Sequence, residues 1–152
     1  MLLQVLYLVK TNNTGGKMKV PDKDYYSDEN TVFSCQYHVI FTPKYRRKVL
    51  EQKIAERLSE LLVDKQEFYK YRLIEHEVME DYVHLLIEIP PSISIKQMIA
   101  KIKGYTSRIL KKEFPDLNKR LPCLWTRSFF VSTVGVETLD IIKAYITDQK
   151  DV

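Results

Sequence analysis

The hydrophobic pattern of this chain changes period in a set order, and that order restricts the fold more than composition does. Val32 to Thr42 is rich in aromatic and β-branched residues, with Tyr37, Val39 and Phe41 alternating against His38, Ile40 and Thr42 until Pro43. A period of two marks a half-buried strand, and a proline ends it by removing a ladder donor. From Glu51 to Val63, Ile54, Leu58, Leu61 and Leu62 recur at helical spacing opposite charged positions, which predicts an amphipathic helix. Tyr71 to Met79 and Val83 to Ile89 read as two strands joined by the short Glu80-Asp81 turn, with Pro90-Pro91 closing the second. The pair is an expected hairpin.

A second helix follows, with Ser94 as N-cap and Ile95, Met98, Ile99, Ile102, Tyr105 and Ile109 along one arc. Phe114-Pro115 breaks it, Phe129 to Val134 is a short fourth strand before Gly135, and Glu137 to Gln149 is a final helix. The order βαββαβ plus a C-terminal helix predicts an α+β fold of the ferredoxin-like or RRM-like kind. Its sheet is antiparallel, with helices on one face. That architecture hosts many functions, so function has to be argued from sites.

The 152 residues, 45% apolar and 11% aromatic, suffice for one domain with a real core. The expected division is a flexible extension over 1–30 and a single domain over 31–152. Within the extension Met1 to Val9 is apolar but too short to span a bilayer, and it lacks a basic flank or a small-residue cleavage site. Residues 10–30 are polar, with Gly15-Gly16 and Pro21, and Met18 is an alternative start of translation. Cys35 and Cys123 have no metal-type spacing, which predicts free thiols in a cytoplasmic protein with no membrane partner.

Net charge is 24 − 20 = +4, which permits an anionic partner without requiring one. The distribution is more informative. No acidic residue occurs from Pro90 to Lys112, where Lys96, Lys101, Lys103, Arg108, Lys111 and Lys112 lie. Lys44-Tyr45-Arg46-Arg47-Lys48 is a second basic cluster with an aromatic inside it, as phosphate contact combined with base stacking would use. Lys44, Arg46, Arg47, Lys101, Lys103 and Arg108 are therefore candidate DNA-backbone contacts, although a charge run by itself is equally a solvated face.

Residues two apart on a strand share a face, so Tyr82 and His84 are expected to point together while Val83, Leu85, Ile87 and Ile89 face the helices. On the final helix Leu139, Ile141, Ile142 and Ile146 define a buried arc that includes Gln149, with Tyr145 one turn before it. A buried glutamine needs a hydrogen-bond or metal partner, since leaving its amide unsatisfied costs on the order of 1–3 kcal/mol. When each is taken alone, His84 reads first as a half-buried strand histidine and Tyr145 as a packed amphipathic tyrosine.

Five blocks in collinear order change that balance. Tyr37 to Lys48 (YHVIFTPKYRRK), Glu77 to Pro91 (EVMEDYVHLLIEIPP), Lys101 to Arg108 (KIKGYTSR), Leu124 to Gly135 (LWTRSFFVSTVG) and Tyr145 to Gln149 (YITDQ) resemble successive blocks of the IS200/IS605-family transposases. These are single-tyrosine members of the HUH (His-hydrophobic-His) nucleases, and the resemblance spans residues 31–152. It implies a homodimer with composite active sites that binds hairpins at the ends of a mobile element and cuts single-stranded DNA. By the same resemblance Tyr145 is the nucleophile that forms a 5′-phosphotyrosine. A divalent ion, Mg²⁺ or Mn²⁺, would be held by position 82, His84 and Gln149, and the tyrosine helix commonly serves the partner subunit's metal site.

This chain departs from the family pattern at the first histidine, reading Asp81-Tyr82-Val83-His84, and Glu80 stands where a proline is usual. A neutral imidazole ligates at pH 7, whereas a phenol with a pKa of about 10 stays protonated. Weak metal binding is the expectation. It leaves open slow cleavage with a metal held by His84, Gln149, waters and DNA phosphate, a catalytically impaired remnant that only binds DNA, or Tyr82 itself as nucleophile. His76 and His38 are replacement ligands to consider, the first on a neighbouring strand at unknown register, the second inside the first block. An RRM-like RNA-binding module is the alternative of another class, although Val83 to Ile89 carries no aromatic platform. A small-molecule-binding ferredoxin-like domain is another, but it would leave the basic clusters without a role.

Overall fold

The computed structural model describes residues 18–20, 23–27, 31–134 and 145–149. Three short strands come first: β1 (Met18–Val20), β2 (Lys23–Ser27) and β3 (Val32–Phe33), antiparallel in that order. The segment expected as a flexible lead-in therefore contains paired backbone at 18–20 and 23–27, and Tyr26 pairs with Phe33. Main-chain pairing requires no apolar periodicity, which is why polar composition concealed it. The expected strand from Val32 to Thr42 is likewise divided. Its first part pairs with β2, and only β4 (Gln36–Phe41) enters the principal sheet.

After β4 the chain makes one turn of 3-10 helix at Lys44–Arg46, then α1 (Gln52–Asp64) and α2 (Gln66–Tyr69). The hairpin β5 (Arg72–Val78) and β6 (Val83–Glu88) follows, then α3 (Ile95–Glu113), α4 (Asp116–Arg120) and β7 (Phe130–Thr133). The principal sheet runs β5-β6-β4-β7, antiparallel at every pairing. That is the strand order of the expected βαββαβ sandwich. Residues 145–149 are helical, while residues 137–144 of the expected final helix, with Leu139, Ile141 and Ile142, lie outside the described residues.

One face of the sheet carries Val39, Phe41, Val83, Leu85 and Ile87, each at most 1% exposed. Against it α1 packs Ile54, Leu58, Leu61 and Leu62, and α3 packs Met98, Ile99, Ile102, Tyr105 and Leu110. Ser94 caps α3 as expected, accepting from the Gln97 amide at 3.5 Å. Each of these large side chains contributes about 1.5–3 kcal/mol by leaving water. Polar atoms buried there are paired: the Tyr71 and Tyr105 hydroxyls lie 2.9 Å apart, and the Tyr71 hydroxyl donates to the Leu62 carbonyl. Gln66, 6% exposed, accepts from the Leu73 amide at 2.7 Å beside the bulge in β5.

The other face carries the opposite parity. Ile40 is fully buried yet stands apart from the helix-covered core cluster. It is paired with His84 on one side and with Phe130 on the other. The chemistry-bearing residues collect on this second face.

Candidate functional site

Register places the site in two steps. Glu77, His84, Ile40 and Phe130 form one row across β5, β6, β4 and β7, because Glu77 is paired with His84, His84 with Ile40 and Ile40 with Phe130. His38 lies two residues before Ile40 and so shares that face. Its Nδ1 is 2.9 Å from Nε2 of His84, with ring centroids 5.1 Å apart and ring planes 14° from parallel. Thr42 and Tyr82 extend the same parity toward the strand ends. His76 is paired with Leu85 and therefore belongs to the helix-covered face; burial pushes its imidazole pKa down. It is on the wrong side of the sheet to join His84.

The helical residues 145–149 lie along β7 on this face. The Tyr145 ring packs on Phe130 at 5.4 Å between centroids. One turn later Gln149, 6% exposed, accepts a hydrogen bond from the Ser128 hydroxyl at 3.0 Å. The buried glutamine expected from the helical arc thus has the partner that burial demands. The Tyr145 hydroxyl is buried with no hydrogen bond among the described residues, and so is Thr42 Oγ1. Burial pushes the Tyr145 phenol up, and the neighbouring Ser128 hydroxyl opposes that shift in part. A buried hydroxyl with no partner is costly, by about 1–3 kcal/mol, and such groups in native proteins are usually reserved for a ligand or a reaction.

Tyr82 meets a different environment. Its phenol is pushed up by burial first, then by the carboxylates of Glu77 and Asp81. Each influence holds the proton on, so Tyr82 is a poor anionic ligand. Asp81 beside it is bound to Arg46, whose Nε lies 3.0 Å from the carboxylate. The same guanidinium donates through a terminal nitrogen to the Ile146 carbonyl at 3.0 Å. Arg46 therefore ties the start of β6 to the tyrosine helix. It does so from a strained turn, since Tyr45 and Arg46 both have left-handed backbone, φ 58° and 47°. Non-glycine residues hold that conformation only where their surroundings over-determine it, and the paired guanidinium is such a constraint.

The six basic candidates separate accordingly. Arg47, Lys101 and Arg108 are exposed. Arg46 is used internally, and Lys44 is half-buried with its ammonium 5.0 Å from the centre of the Tyr45 ring. Lys103 is also committed: its Nζ donates to the carbonyls of Thr126 (2.5 Å) and Ser128 (3.1 Å). Desolvation lowers its pKa to about 8. It thereby holds the loop that presents Ser128 to Gln149. Sequence reasoning could not separate these cations from their neighbours, because their carbonyl and carboxylate partners are remote in the chain. Thr42 and Ser128 were missed as site neighbours for the same reason, and of the two replacement histidines considered it is His38, not His76, that shares the face of His84.

A family model, described as Transposase IS200 like, matches residues 31–149. The chain belongs to the IS200-like transposase family. It is 33% identical over 126 residues to the transposase for insertion sequence element IS200 of Salmonella typhimurium, covering 80% of this chain and 83% of that protein. It is 34% identical over 122 residues to the ISDra2 transposase TnpA of Deinococcus radiodurans, covering 79% and 87%. Its fold matches the crystal structure of a candidate transposase from Deinococcus radiodurans with a TM-score of 0.76 at 33% identity, over 83% of this chain and 98% of that one. The IS200-like family is one of DNA-processing transposases, so the open face of the sheet is the region to read for DNA chemistry. Among the described residues no helix is long and apolar enough to cross a membrane, and no three His, Cys, Asp or Glu side chains cluster as a metal site.

Proposed function

We propose that this IS200-like transposase binds hairpin ends of a mobile element and cuts and rejoins single-stranded DNA, with Tyr145 as nucleophile. The observation that carries this reading is the Tyr145 hydroxyl, buried and without a hydrogen bond among the described residues, on the sheet face that also holds His84, with Gln149 one helical turn away. Attack of the phenolic oxygen on the scissile phosphorus forms the tyrosine–phosphate bond and breaks the bond to the 3′ oxygen. The phenol gives up its proton, the leaving 3′ oxygen takes one, and a 5′-phosphotyrosine and a free 3′-OH result. The bond energy is conserved, so a second 3′-OH can reverse the step at a new junction.

His84 and Gln149 are the groups we assign to a divalent ion, Mg²⁺ or Mn²⁺. The ion supplies charge compensation at the phosphate. An imidazole and a carboxamide oxygen are suitable donors, and such ions complete their shells with waters and substrate phosphates. Tyr82 adds no anionic donor, because its proton is held more tightly than in water. With His84 and Gln149 as its protein ligands alone, slow, metal-hungry cleavage would be the consequence. We assign Arg47, Lys101 and Arg108, the exposed cations, to the DNA backbone, with Lys44 as a secondary contact. Arg46 and Lys103 act on the protein side. A cytoplasmic homodimer, the domain starting at residue 31 and a tyrosine helix shared between subunits complete the reading.

The test incubates wild-type protein and Tyr145→Phe with a 5′-hairpin single-stranded oligonucleotide and Mn²⁺. A covalent adduct should form with wild type only. An adduct undiminished in Tyr145→Phe removes the nucleophile assignment. Equal binding of hairpin DNA at low and moderate salt removes the assignment of the exposed cations, since neutralised phosphates release counterions.

A further inference from the structure

The side chain beside His84 on the open face is another imidazole. His38 Nδ1 and His84 Nε2 are 2.9 Å apart, brought together by pairing of β4 with β6, in which Ile40 opposes His84 and His38 is one same-face position away. We propose that His38 replaces the histidine missing at position 82, so that the metal site of this chain is His38, His84 and Gln149, its two imidazoles coming from adjacent strands. This rests on the assignment of His84 as a ligand.

Geometry carries the argument. An ion about 2.1 Å from each of two donors that are 2.9 Å apart subtends roughly 90°, the angle between neighbouring ligands of an octahedral ion. The rings are 14° from parallel with centroids 5.1 Å apart, too far apart for face-to-face stacking. They meet edge to edge through nitrogen. In the metal-free state one imidazole donates its N–H to the other. Metal binding needs a change of tautomer at the donating ring, which frees both nitrogens as acceptors without net loss of a proton from either neutral ring, and a rotation of the two rings that turns their lone pairs from each other toward a shared ion. A phenol at position 82 is then tolerated, because the site draws its second nitrogen from the first strand block rather than from the hairpin.

Electron spin-echo measurements on Mn²⁺ added to the intact protein, with and without ¹⁵N at the histidines, count the imidazole nitrogens directly. Two are expected in wild type. His38→Ala and His84→Ala should each show one and weaken Mn²⁺ binding by about 10-fold or more. His38→Ala/Tyr82→His should return to two, having rebuilt the pair within the hairpin strand. A wild type with a single imidazole nitrogen, or His38→Ala with unchanged count and affinity, overturns the proposal while leaving His84 as a ligand. No imidazole nitrogen in wild type overturns both. The wild-type count does not depend on how well any variant folds, and none of these readouts involves Tyr145.

Discussion

The two faces of the principal sheet share strands and backbone yet are built on opposite rules. The helix-covered face is built mainly of buried apolar side chains, and the polar atoms of Tyr71, Tyr105 and Gln66 that go with them are paired. On the other face lie His38, His84 and the buried hydroxyls of Thr42 and Tyr145, which have no hydrogen bond among the described residues. Packing and hydrogen-bond satisfaction stabilise the first, and the second carries two hydroxyls with no partner among the described residues. The sheet's alternation lets one strand serve both: in β6, Val83, Leu85 and Ile87 hold the core while His84 lies on the opposite face beside His38.

The largest effect that tests this division is on stability. Leu85→Ala opens a cavity in the helix-covered core and should cost about 2–5 kcal/mol, whereas Leu86→Ala, half-buried on the other face, should cost well under half of that. Urea unfolding measures both. Equal losses would mean that the second face is as much a packed core as the first.

An intermediate effect concerns the link between the hairpin and the tyrosine helix. Arg46→Met removes the contacts to Asp81 and the Ile146 carbonyl. A charge-assisted hydrogen bond of about 1.5–3 kcal/mol, if used to place Tyr145, corresponds to roughly 10–100-fold in the rate of adduct formation. Hairpin-DNA affinity should change much less. A large drop in affinity with an unchanged rate would instead make Arg46 a DNA contact.

The smallest effect is a pH dependence to which the helix-covered face contributes through Tyr71 and Tyr105. Burial raises Tyr105 from the usual 10 to about 12 and raises Tyr71 further. The unfolded chain loses these protons first, so the stability they contribute is full below pH 10 and falls as pH rises, between 10 and about 12 for Tyr105. Thermal melts over that range should show the loss, and Tyr71→Phe/Tyr105→Phe should flatten it. An identical slope in the double variant would assign the loss elsewhere.

Much of this arrangement is legible in the residues themselves. Periodicity locates α1, α3, the hairpin and β7 within one or two residues, because the core face imposes it, and the Ser94 cap and the burial of Gln149 follow from local rules. Three features are not legible that way. The break between Val32–Phe33 and Gln36–Phe41 depends on which partner each half pairs with. The diversion of Arg46 and Lys103 from solvent depends on carbonyls 100 and 23–25 residues away. The meeting of His38 with His84 depends on a register between strands 46 residues apart, and alternation sets faces, not registers.

The central claim is that the open face delivers Tyr145, and not Tyr82, to the scissile phosphate. Both phenols are raised by burial, so their ionisation does not discriminate between them, and position must. Proteolysis of the covalent protein–DNA adduct followed by mass spectrometry identifies the modified peptide. The account predicts that the 5′-phosphate is carried by the peptide containing Tyr145; a nucleotide on the peptide containing Tyr82 would contradict it.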